Sequence, residues 1–164
     1  MQNSHHQNTE TASFKEIGFT TLELLISVAI VIFLAAIIYS GISSFKESNI
    51  LLITADTVAD TLNKAKIRTL SSKLGSAYGV QLASTTITLF KGDSFVSGTV
   101  EETINLRAPA VIYSASLSLS SLDIVFKRLT GETDNFGTIT LRSEKNNSMT
   151  KTITIYASGL VEIK

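Results

Sequence analysis

Apolar and polar positions along the chain change their period twice. From Phe19 to Ile38 or Tyr39 the sequence is one apolar run in which Glu23 is the only charged side chain. A helix crossing the hydrocarbon core of a bilayer needs about 20 predominantly apolar residues. The run therefore predicts a helix that spans a membrane or packs in an equally apolar setting. Further on, Leu51 or Leu52, Ala55, Val58, Ala59, Leu62 and Ala65 recur at steps of three and four, with Asp56, Asp60, Asn63 and Lys64 on the other side. That spacing predicts an amphipathic continuation of the helix to about Leu74, ended by Gly75 and Gly79. Asp60 and Lys64 stand at i and i+4, in the orientation that favours an ion pair on a helix surface.

After Tyr78 the period becomes two, in short runs rich in Val, Ile, Thr, Tyr and Phe, which predicts strands. Eight are expected, at 77–83, 86–90, 102–106, 111–119, 122–129, 137–142, 152–157 and 160–163. Lys91-Gly92-Asp93 and Ser158-Gly159 read as tight turns, and Gly131 to Asn135 as a hairpin loop. Ser114, Ser116, Ser118 and Ser120 alternate with Ala115, Leu117 and Leu119, which puts a row of hydroxyls on the solvent face of one strand. The fold class expected is α+β, with a long N-terminal helix whose second half packs on a C-terminal antiparallel β domain of two sheets. The divisions expected are 1–18, 19–39, 40–74 and 75–164. No internal repeat or long linker is visible.

Glu23 needs a partner. An ionised carboxylate at the centre of a membrane helix costs about 2.5–3.5 kcal/mol even on the mildest scale. One answer is that it lies near enough to the start of the run to snorkel to the membrane surface. A second comes from its neighbours. The residues Gly18-Phe19-Thr20-Thr21-Leu22-Glu23, followed by an uninterrupted apolar stretch, resemble the processing site of the type IV pilin-like proteins, which include pilins and the pseudopilins of type II secretion. A secretory signal would instead place its cleavage site after the apolar core.

The resemblance implies that residues 1–18 are a leader, that prepilin peptidase cuts between Gly18 and Phe19, and that Phe19 is then N-methylated. It also implies that Glu23 pairs with the terminal amine of a neighbouring subunit during assembly. Such a pair would offset both charges and make helix association selective for stagger. One helix followed by about eight strands, closing on Ile-Tyr-Ala-Ser-Gly-Leu-Val-Glu-Ile, resembles the H-type minor pseudopilins and the related T-type minor pilins. Tip-located K-type pseudopilins generally lack the glutamate, so Glu23 implies a subunit that inserts below another. The partners implied are prepilin peptidase, other pilin or pseudopilin subunits, an inner-membrane assembly platform and, before assembly, membrane lipid. The location implied is the inner membrane in a single pass, β domain outside the cytoplasm, and then a periplasmic or surface filament. Two features depart from the family. The leader carries Lys15 against Glu10 and Glu16 rather than a clear positive charge, and no proline stands near Ser40, the sole one being Pro109.

Composition narrows the chemistry. The chain has 164 residues and no cysteine, so its fold rests on a core without disulfides. Its 14 basic and 14 acidic residues cancel; loss of Lys15, Glu10 and Glu16 with the leader would leave 13 and 12, a net charge of +1. No strong field for nucleic acid or anionic lipid follows. Both histidines, His5 and His6, lie in the leader, which leaves a mature chain without the Ser-His or Cys-His pairs of nucleophilic catalysis. Glu101, Glu102, Asp123, Glu132 and Asp134 sit in no motif that converges them, and an enzyme is not expected. Glu132, Asp134 and Asn135 offer oxygen ligands in one loop, yet no EF-hand pattern is present and a polar turn explains them. No metal or cofactor is expected. DNA contact is the alternative activity. Lys127, Arg128, Arg142, Lys145 and Lys151 would form a phosphate patch if the last strands brought them together, although no aromatic is interleaved for base stacking. A third reading is a membrane-anchored β domain that is never cleaved.

Overall fold

The computed structural model describes residues 18–71 and 75–164, with the backbone alone for 40–44. Helix α1 runs Thr21–Leu70. It is entered through Thr20, whose Oγ1 accepts a hydrogen bond from the Glu23 N–H at 3.2 Å, the contact made by an N-cap threonine. Residues 1–17, all but the last of the leader expected at 1–18, lie outside the described residues. The chain divides into two compact units, Met1–Ser40 and Gly41–Lys164. In the first, every described side chain is exposed, and Thr21–Tyr39 is a stretch of 19 residues long and apolar enough to cross a membrane.

In the second unit α1 buries the stripe expected of it, with Leu51, Ala55, Val58, Ala59, Leu62 and Ala65 all in the core. Leu51 rather than Leu52 faces inward. Thr54, Thr61 and Thr69 are buried in the same stripe. Their hydroxyls donate to the carbonyls of Ile50, Thr57 and Ala65, one turn back, at 2.7, 2.7 and 2.9 Å, so none is left unsatisfied among apolar neighbours. The helix stops at Leu70, short of Leu74. Gly75 follows in the left-handed region at φ 64°, but Gly79 does not end the helix. It belongs to the first strand, where a Cβ would lie 2.6 Å from Phe90 Cζ, and the close approach of that ring requires glycine.

Eight strands follow: β1 Tyr78–Leu82, β2 Thr86–Lys91, β3 Thr99–Asn105, β4 Ala110–Leu117, β5 Asp123–Val125, β6 Gly137–Ser143, β7 Thr150–Ile155 and β8 Val161–Ile163. They form two antiparallel four-stranded sheets, in the orders β3-β2-β1-β5 and β4-β6-β7-β8. Leu82, Ile87, Leu89, Ile124 and Phe126 from the first sheet side and Ile139, Leu141, Ile153 and Ile155 from the second close one core with the α1 stripe. β2 and β3 join through a loop over 92–98, longer than the tight turn expected at Lys91-Gly92-Asp93. Tyr156 to Leu160 is tight as expected: the Gly159 N–H donates to the Tyr156 carbonyl at 2.8 Å and the Tyr156 N–H to the Leu160 carbonyl at 2.9 Å.

Further sequence expectations are corrected. Gly131 to Asn135 is not a hairpin loop, because β5 pairs with β1 while β6 pairs with β4 and β7, so the segment between them carries the chain from one sheet to the other. Lys64 does not pair with Asp60. Its ammonium bonds Glu102 on β3, and Arg68 bonds the neighbouring Glu101 at 3.1 Å. The serine row on β4 holds for Ser114 and Ser116, both exposed, with Ala115 and Leu117 half-buried between and beyond them. It is set by a bulge, since Ile112 pairs with Leu141 and Ser114 with Thr140, leaving Tyr113 as the extra residue. Leu119 breaks the pattern and is exposed.

Candidate functional site

The start of α1 gathers the residues that the sequence singles out. Gly18 has open space around it, Phe19 is 80% exposed, and Thr20 caps the first turn, in which Glu23 is the acidic residue. A carboxylate in a first turn is favoured by the partial positive charge of the helix N-terminus. That half-charge does not neutralise a full one, and no other charged side chain is described between Gly18 and Tyr39. Ser27 Oγ donates to the Glu23 carbonyl at 2.7 Å, so the one hydroxyl a turn below is already engaged with backbone. What remains is an apolar helix presenting one carboxylate, a surface that a second apolar helix bearing a cation would complement.

The five basic residues considered for phosphate contact are not brought into one cluster. Lys127 and Arg128 precede the crossing between the sheets, and Lys127 is held by Asp134 at 2.6 Å. The hydrogen bond that its ammonium donates to that carboxylate raises the Lys127 pKa above its ordinary value. Both residues line a cleft of about 550 Å³ with Asp93, Asp123, Asp134 and Asn135, so acid surrounds base there. Arg142 lies near the far end of β6, five residues beyond Gly137, and Lys145 in the loop after it. Lys151 pairs with Leu141, in phase with Ile153 and Ile155 on the core-facing side of β7, whereas Arg142 has the opposite parity. The arrangement supplies no continuous basic track along which phosphates could run.

Asn135, considered as an oxygen ligand, has its amide engaged within the fold. Its Nδ2 donates to the carbonyls of Ser121 and Asp123, both at 2.8 Å, and its Oδ1 accepts from the Leu119 N–H at 2.9 Å. Asp123 Oδ2 accepts from the Phe95 N–H at 3.1 Å. Among the described residues no group of three or more His, Cys, Asp or Glu side chains converges to hold a metal.

Three arrangements were not visible in the sequence. The Arg142 guanidinium lies 3.8 Å from the Tyr113 ring centroid, a cation over a ring that the bulge turns outward. Lys66 Nζ donates to the carbonyls of Ser158 and Gly159 at 3.2 and 3.0 Å, fastening the β7–β8 turn to the helix. Tyr156 donates its hydroxyl to Glu162 at 2.7 Å. That bond, with the Lys164 charge, lowers the Glu162 pKa, and the same carboxylate raises that of Tyr156. No local spacing in the sequence links the partners of any of the three.

A long helix, apolar in its first part and amphipathic in its second, feeding two antiparallel sheets, is the fold of pilin-like subunits, the class implied by the Gly18 to Glu23 motif. Among solved structures, the minor pseudopilin EpsH from the type 2 secretion system of Vibrio cholerae shares it, with a TM-score of 0.54 and 13% identity, the match covering 70% of this chain and 95% of that one. At that identity the likeness is one of fold. No family model matches the sequence, and no curated protein does.

Proposed function

We propose that the chain is a structural subunit of a pseudopilus or related pilus-like filament, a minor pseudopilin in type. In this reading prepilin peptidase removes residues 1–18, Phe19 becomes the methylated N-terminus, and the apolar helix holds the subunit in the inner membrane with its β unit outside the cytoplasm. Other pilin-like subunits and an assembly platform are its partners, and the filament is its product. The observation that carries this is a wholly exposed apolar helix with a single carboxylate in its first turn, joined to a unit with the fold of EpsH. An anchor alone needs no carboxylate. A helix that must find one stagger against its neighbours gains from one, because the new ammonium at Phe19 and the Glu23 of an adjacent subunit offset each other away from water.

Mass spectrometry of the mature N-terminus is the direct test, and the expected species begins at a methylated Phe19. An intact 1–18 segment on the membrane protein would overturn the reading. Glu23→Ala should leave insertion and cleavage unchanged while lowering incorporation into filaments by on the order of tenfold, the effect of losing a charge pair in an apolar setting. Equal incorporation of the two forms, measured in sheared filament fractions, would remove the role assigned to the carboxylate.

A further inference from the structure

Strand register sorts the outer face of the second sheet into rows. Ile139, Leu141, Ile153 and Ile155 point into the core, so their neighbours of opposite parity face away from it. Crossing from β4 through β6 and β7 to β8, one row reads Ser116, Thr138, Thr154, Glu162. The next reads Ser114, Thr140, Thr152 and then Lys164, which exchanges backbone hydrogen bonds with Thr152 at 2.8 and 3.1 Å. The two serines are exposed and the four threonines half-buried, and none of these six hydroxyls bonds another protein group among the described residues. Strands stand about 4.8 Å apart, and alternate residues of one strand about 6.6 Å apart. The centre of the face is thus a flat lattice of groups that each donate and accept.

Aromatic side chains bound the lattice at both ends. Phe136 precedes β6 and Tyr156 follows β7, each in phase with the outward threonines of its strand and each about two-fifths exposed. Tyr156 is fixed there by its bond to Glu162 of the first row. At the opposite end Arg142, also in phase, lies against the Tyr113 ring. Its Nε is buried without a partner, and the guanidinium makes no hydrogen bond or ion pair among the described residues. A guanidinium held by a ring, with its terminal donors unused, is organised in advance for a carboxylate, which it binds through two parallel bonds.

We propose that this face binds an acidic polysaccharide, a chain of pyranose units bearing carboxylates. The six hydroxyls select the class. An apolar protein surface would strip their water and return no hydrogen bonds, which is costly for any polar group. A nucleic acid would need cations along its phosphates, and the six central positions supply none. A sugar chain is itself a dense array of hydroxyls that donate and accept, so it replaces the displaced water bond for bond. The C–H face of a pyranose meets the negative faces of the Phe136 and Tyr156 rings, and a carboxylate engages Arg142 at the other end. Phe136 and Arg142 are six residues apart, about 20 Å along the strand, so the ligand is an oligomer and not a single sugar.

The test measures binding of the full chain in detergent to immobilised polygalacturonate, to the same polymer with its carboxyls reduced, and to double-stranded DNA. The chain should hold polygalacturonate at least about tenfold more tightly than the reduced polymer, because only the former engages Arg142. Thr140→Val with Thr152→Val keeps side-chain shape and β propensity while removing two hydroxyls, and should weaken binding to both sugar polymers about tenfold. Arg142→Gln should remove the preference for the charged polymer and leave affinity for the reduced one within about twofold. Arg68→Gln, on α1 and paired with Glu101 of the other sheet, should change neither. Failure to bind either polymer, binding untouched by the two valines, or equal effects of Arg142→Gln on charged and reduced polymer would each overturn the proposal. DNA bound as tightly as polygalacturonate would overturn it too, and would assign the face to phosphate. All these variants leave Glu23 and the apolar helix unchanged, so their failure would not bear on the assembly role of that helix.

Discussion

At the scale of single residues, Asn135 does more for the second unit than its composition suggests. It is 3% exposed and its amide holds three backbone groups of the β4–β5 connection and β5 start, Leu119, Ser121 and Asp123. Asn135→Ala would leave those groups without their partner, and the cost expected is about 2–3 kcal/mol, read from urea unfolding. Gly159 makes a different demand. It holds φ 71°, and a Cβ there would lie 2.1 Å from the Gly131 carbonyl oxygen, so Gly159→Ala combines strain with a backbone clash. It should destabilise by about 2 kcal/mol or more and detach the turn that Lys66 fastens. Glu102, like Glu162, contributes acid sensitivity. The hydrogen bond from Lys64, then its charge, holds the Glu102 pKa below the ordinary carboxylate value. A depressed folded-state pKa gives stability that is present above the unfolded value and lost as pH falls through the folded one. Glu102→Gln should therefore lower the thermal midpoint slightly at pH 7 and leave it unchanged at pH 2, the pair being half-exposed.

At the scale of elements, the helix was legible from its period and the eight strands from short runs of β-branched, aromatic and apolar residues set between turn residues. The partition of strands between sheets was not, since the choice of β1 over β6 as partner of β5 depends on residues some 45 positions apart. The same limit hid Lys64 with Glu102, separated by 38 residues, behind the nearer Asp60. The site divides in the same way. Gly18 to Glu23 is contiguous and could be read directly, whereas the scattering of Arg142 and Lys151 over opposite parities appears only once register is fixed. Helix phase gives the test at this scale. Leu62 is fully buried and Leu52 is 43% exposed, though both are leucines on one helix. Leu62→Ala should cost about 2–5 kcal/mol by leaving a cavity, and Leu52→Ala less than about 1 kcal/mol. Equal costs in denaturant titrations would mean that the helix is rotated from this register.

For the whole molecule, the two units solve different problems of burial. The second closes its own core, with eighteen buried side chains in one cluster from α1 and both sheets. The first leaves every described side chain exposed, and Phe19, Leu25, Val31 and Phe33 are each more than 60% exposed. Apolar surface left in this state must be covered by lipid or by other helices, at about 25 cal/mol per Å² of area removed from water. The two should therefore separate under deletion. A chain lacking residues 1–40 should be recovered in the soluble fraction and keep the β signature of its circular dichroism. Its thermal midpoint should fall within a few degrees of that of the full chain in detergent, because no core contact has been lost. The full chain should fractionate with membranes and resist extraction by high salt, which weakens charged contacts and leaves apolar insertion intact. A truncated chain that unfolds at markedly lower temperature would mean that the apolar half of α1 contributes to the core as well as to anchoring. Glu23 would then be constrained by folding before any neighbour arrives.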